Sequence, residues 1–67
     1  MKIFKCSFDS IFTEFGKSDL RLRVVMNEDH DRFGGCKGEY TITSKLKMID
    51  FERKMAMTAN NIYKWEN

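Results

Sequence analysis

The sequence predicts a mainly β fold, a small, partly open barrel or bent antiparallel sheet of about five strands with one short helix. Three observations predict it. "KIFKCSF" and "LRLRVVM" alternate apolar and polar residues, as half-buried strands do, and "EYTITSKLKM" does so over a longer stretch. The closing stretch "MAMTANNIYKW" sets an Asn-Asn pair between two half-apolar runs, as the tip of a hairpin does. An α+β fold with a C-terminal helix is the alternative.

The first strand puts Phe4, Cys6 and Phe8 on one face and Lys5 and Ser7 on the other. In "DSIFTEFG", Phe8, Ile11, Phe12 and Phe15 fall at helical spacing, Asp9 or Ser10 can cap the N-terminus, and Gly16 can take the left-handed position after the last turn. A short helix over residues 9–16 is favoured over a second strand turning at Asp9-Ser10. Leu20, Leu22, Val24 and Met26 then alternate with Arg21, Arg23 and Val25 in a strand rich in β-branched residues. Residues 27–38 lose periodicity and collect acids, the only histidine and three glycines, which predicts a long loop. The next strand places Tyr40, Ile42, Ser44, Leu46 and Met48 on one face and Thr41, Thr43, Lys45 and Lys47 on the other, with a bend near Thr43-Ser44.

A chain of 67 residues permits one domain, spanning 1–67, and a core of about a dozen large side chains. At 42% hydrophobic and 33% charged it is composed as a folded protein and not as a disordered tail. No apolar run nears the ~20 residues that span a bilayer, and the N-terminus lacks a signal-peptide pattern, so the expected place is the cytoplasm with no membrane contact. Cys6 and Cys36 are expected as reduced thiols, because one disulfide is a thin framework for a secreted domain of this size. A formal charge of +2 is too mild to imply nucleic-acid binding by itself.

The closing segment can be read twice. As a helix from Phe51, capped by Asp50, it buries Phe51, Met55, Ala59 and Ile62. As a hairpin turning at Asn60-Asn61, it pairs Ala59 with Ile62, Thr58 with Tyr63 and Ala56 with Trp65. Periodicity leaves the two level. "TSKLKMID" followed by "TANNIYKW" resembles the ending of many small phage and prophage proteins of unknown function, in which a Thr-Ser, an Ile-Asp and a Thr-x-Asn-x-x-Tyr recur over the last strands. The match covers Thr43 to Trp65 and departs at Lys45, where proline is frequent. The resemblance implies a β-hairpin ending and a phage-like origin, with no activity attached.

Catalytic and metal constellations are expected to be absent. Asp29, His30, Asp31 and Cys36 lie close in sequence, yet no C-x-x-C or H-x-x-x-H pair exists and an EF-hand register fails on its glycine and its last Glu. Cys36 with His30 is the only Cys/His pair, without a motif around it, and "GGCKG" leads into a strand and lacks the P-loop spacing. The expectation is a protein that is not an enzyme and uses no cofactor.

Two binding functions remain. By elimination and resemblance, the first is a phage-type accessory protein, monomeric or a small homo-oligomer, that binds a larger host protein through a loop or an unpaired sheet edge and modulates it. The alternative is a small β-barrel that binds nucleic acid: Arg21, Arg23, Lys45 and Lys47 would share one sheet face, with Tyr63 or Trp65 stacking on bases. The plainer reading makes those cations a solvated strand face and those aromatics part of the core.

Overall fold

The computed structural model describes residues 2–13, 16, 18–27 and 37–67. They form one six-stranded mixed sheet with no helix among them: β1 (Lys2–Thr13), β2 (Leu20–Met26), β3 (Tyr40–Ile42), β4 (Met48–Asp50), β5 (Met55–Met57) and β6 (Asn61–Trp65). The order is β3-β2-β1-β6-β5-β4, with β1 and β6 parallel and every other pair antiparallel. The sheet is therefore mixed and has six strands, where an antiparallel one of about five was expected.

The expected helix over 9–16 is instead strand as far as Thr13, and the reason is a β-bulge. Between Phe8↔Val24 and Ser10↔Arg23 the register slips at Asp9, so that Phe8 and Ile11 both face the core although they are three residues apart. A bulged strand thus imitates the i, i+3 spacing of a helix. Phe12, opposite Arg21, turns to the other face, and Phe15 lies outside the described residues. Gly16 has a positive φ of 78°, although the helix it was expected to end is replaced by strand as far as Thr13. The loop residues Asp29, His30, Asp31 and Cys36 also lie outside the described residues.

The strand expected through Tyr40 to Met48 is cut in two. Thr43 is buried, and its Oγ1 accepts a hydrogen bond from Leu22 N at 3.0 Å while donating to Ser44 O at 2.9 Å. The side chain takes a ladder position that a carbonyl would otherwise fill, so the backbone leaves the ladder at the predicted bend. Facing is reversed as well: Thr41 lies opposite core residue Val24, which sends Tyr40 and Ile42 outward, 57% and 59% exposed.

β3 and β4 lie at opposite edges of the sheet, joined only by residues 43–47. A flat six-stranded sheet would hold its edges ~24 Å apart, whereas the chain from Ile42 to Met48 reaches at most about 22 Å. The sheet must curl. The link is tied to both sides, with Thr43 N donating to Leu22 O at 2.9 Å, Leu46 N to Leu20 O at 2.8 Å and Lys47 N to Met57 O at 2.7 Å.

Inside the curl sit Phe4, Cys6, Leu22, Val24, Met26, Ala56, Tyr63 and Trp65, with Phe8, Ile11, Leu46 and Ile49 packed against them. The C-terminal hairpin forms as the resemblance implies, but turns one residue earlier than expected, at Ala59-Asn60, and pairs Met57 with Ile62 and Ala56 with Tyr63. Thr58 closes the turn: its N donates to Asn61 O at 2.9 Å and its Oγ1 accepts from Asn61 N at 3.2 Å. No residue of this turn has positive φ, so the left-handed tolerance of asparagine is not used. The register sets the smallest side chain, Ala56, beside the Tyr63 ring. Past Trp65, the Asn67 side chain replaces a strand partner for Phe8, accepting from its N at 2.8 Å and donating to its O at 2.9 Å.

Thr43→Val keeps the shape but removes the acceptor for Leu22 N, leaving a buried donor unsatisfied. Urea melts are expected to show a loss of about 1–3 kcal/mol; a neutral result would mean that the hydroxyl does not hold the link.

Candidate outer-face binding site

The expected aromatic platform is not on the surface. Tyr63 and Trp65 are 3% and 4% exposed. Tyr63 stacks on Phe4 with ring centroids 5.8 Å apart, and Trp65 meets Phe8 at 5.2 Å and Phe51 at 6.3 Å. Both rings alternate with exposed Lys64 and are drawn inward by the curl, as the plainer reading holds. They are core residues and offer no stacking surface.

The four expected cations do not share one strand face either. Arg21 and Arg23 stand on the outer side of β2, but β3 ends at Ile42, which leaves Lys45 and Lys47 in the link. Arg21 Nη1 donates to Thr43 O at 3.3 Å, holding the link to β2. Arg23 Nε lies 3.5 Å from Asp9 Oδ2, and its guanidinium sits 4.1 Å from the centroid of the Tyr40 ring. Lys45 Nζ is 3.4 Å from Asp19 Oδ1. Three of the four are thus occupied within the fold. Pairs this exposed contribute little to stability, but they do orient the side chains.

Ladder registers bring together a different set. Ile3 pairs with Ile62, Ile62 with Met57, and Met57 with Met48, forming a row across β1, β6, β5 and β4. The flanking residues Phe4, Tyr63 and Ala56 face the core, so this row faces outward. Ile3 is 60% and Met48 40% exposed, with Ile62 and Met57 half-buried between them. The next row on the same face reads Lys5, Lys64, Met55 and Asp50. Lys5 and Lys64 lie directly opposite each other on neighbouring strands, and the ion pairs among the described residues leave both out. Asp50, at the far end, turns to its own hairpin, accepting from Arg53 N at 3.0 Å with Arg53 Nη1 3.9 Å away.

Sequence reading missed this site because its residues come from both ends of the chain. Alternation marks Lys5 and Lys64 as outward, but only the parallel pairing of β1 with β6 makes them neighbours. Among the described residues no pocket forms, and no group of three His, Cys, Asp or Glu side chains is placed to hold a metal ion. No helix among them is long and apolar enough to cross a membrane. No protein-family model, curated protein or solved structure matches the chain at a significant level. The arrangement offers surface chemistry: an apolar row beside a pair of ammonium groups on a convex face.

Like charges brought side by side on neighbouring strands, here the parallel β1 and β6, repel each other, weakly where water screens them. Lys5→Glu, which turns the pair into an attractive one, is expected to raise stability by about 0.2–1 kcal/mol at low salt, and the gain should fade in high salt. An unchanged or lower melting temperature in dilute buffer would show that the two ammonium groups do not interact.

Proposed function

We propose that this chain is a small phage-type accessory protein, acting in the host cytoplasm without catalysis of its own, that attaches to a larger protein and modulates it. In this reading the curled sheet is a small, partly open β-barrel whose outer side makes the contact. The apolar row of Ile3, Ile62, Met57 and Met48 carries the proposal. Single apolar side chains on a surface are ordinary, whereas a contiguous row rimmed by polar groups is the pattern of a contact face. Fully burying an exposed Ile or Met contributes about 1.5–3 kcal/mol, and these side chains, part-exposed as they stand, each supply a fraction of that toward the cost of association. The phage-like closing segment supports the origin, and it supplies β5 and β6, which carry the middle of the row. Contact through the face differs from the expected contact through a loop or an unpaired sheet edge: both edge strands, β3 and β4, are only three residues long, and most of the loop over 27–38 lies outside the described residues.

A second reading, nucleic-acid binding, has one observation in its favour. Tyr40 is exposed with the Arg23 guanidinium against its ring, a pairing that can stack on an unpaired base.

Immobilised protein challenged with host lysate tests the first reading. The wild type should retain a stoichiometric protein partner, and Ile3→Thr/Met48→Thr, with an unchanged fold, should lose it; retention by both would overturn the role of the row. A salt series on single-stranded DNA tests the second, because phosphate contacts weaken steeply with salt. No binding in dilute buffer would exclude it.

A further inference from the structure

We infer that the surface this protein grips is a concave apolar groove rimmed by carboxylates, with Lys5 and Lys64 reading the rim; the inference rests on the reading above. Two ammonium groups brought side by side on neighbouring strands repel each other, so the pair adds nothing attractive to the sheet. The ion pairs among the described residues do not include either lysine, and both ammonium groups face outward beside the apolar row, where a carboxylate can meet them. The pair lies two residues along the strands from Ile3 and Ile62, about 7 Å away, so one contact covers both.

Shape selects the occupant further. The sheet curls around its core, so the row stands on a convex face, which fits a groove. A second copy would bring another convex face and another pair of lysines. Nucleic acid would satisfy the lysines but leave the aliphatic row unmatched, and exposed Tyr40 lies on β3, two strands beyond β1. An anionic membrane gains only about 1 kcal/mol from each lysine, and the aliphatic row is narrow for insertion. A protein surface with acidic groups around apolar ones meets both rows.

The test uses the whole chain, isotopically labelled, titrated with a synthetic Leu/Glu peptide, its Leu/Gln counterpart, oligo-thymidylate and phosphatidylserine vesicles. Two variants run alongside, Ile3→Thr/Met48→Thr and Lys5→Glu/Lys64→Glu; the latter keeps a like-charged pair, so its stability stays comparable. The Leu/Glu peptide should shift amides around residues 3–5, 55–57 and 62–64. Its affinity should fall about tenfold or more for the charge-reversed variant, in high salt, and when Gln replaces Glu. Equal binding of the two peptides would overturn the acidic rim while leaving the apolar contact standing. No effect of Ile3→Thr/Met48→Thr would instead overturn the contact itself. The inference also fails if the Leu/Glu peptide does not bind, if oligo-thymidylate or vesicles bind these residues more tightly, or if the protein dimerises through them.

Discussion

The link over residues 43–47 is the constraint on which the rest of the fold depends. It joins strands at opposite edges of a six-stranded sheet and is too short to do so if the sheet is flat. Curling follows, and with it an inside and an outside. Hydrogen bonds from Thr43 and Leu46 to β2 and from Lys47 to β5 fix the link to both sides of the curl. Thr43 is central because its hydroxyl takes the place of a ladder carbonyl for Leu22, letting the chain leave β2 without a buried donor being left unpaired.

Curling also decides what the charged and aromatic residues can do. With Tyr63 and Trp65 inward, the two residues best suited to stack on bases become the wall of the core. Arg21 reaches Thr43 O and Lys45 reaches Asp19, so part of the positive charge of the chain is spent in seating the link. Lys5 and Lys64 stand on the convex side and take no part in that work. Electrostatics here therefore divides by position, with Arg21 and Lys45 seating the link while Lys5 and Lys64 face outward.

Much of the fold is legible in the sequence, and the failures have physical causes. Alternation finds β2 at its observed bounds, because Leu22, Val24 and Met26 are buried while Arg23 is exposed. The bend at Thr43-Ser44 is found too. Its consequence is not, since a bend and a transfer to the opposite edge look alike in one strand's periodicity. The helix expected over 9–16 gives way to strand through Thr13 because the bulge at Asp9 changes a period of two into a spacing of three. At the hairpin tip, Asn60-Asn61 draws attention as a pair that tolerates positive φ, but the Thr58 hydroxyl closes the turn without needing it. Of the site, alternation shows which residues face outward and nothing shows which become neighbours. Ile3 beside Ile62 and Lys5 beside Lys64 are separated by most of the chain, and parallel pairing of the termini leaves no local mark.

A chain this short has little interior to give to function. Its buried side chains are needed to hold a marginal core; among the described residues the buried Cys6 thiol donates to Lys64 O at 3.6 Å. What can vary without unfolding the protein is the outer face, where each strand contributes every second residue. On β2 and β3 that face carries Arg23, Tyr40 and Ile42; on β1, β6, β5 and β4 it carries the apolar row and the lysine pair. The second set is the more extended of the two, with its apolar row crossing four strands beside the two lysines, and this asymmetry is why the second set, more than the first, is proposed as the side that meets a partner.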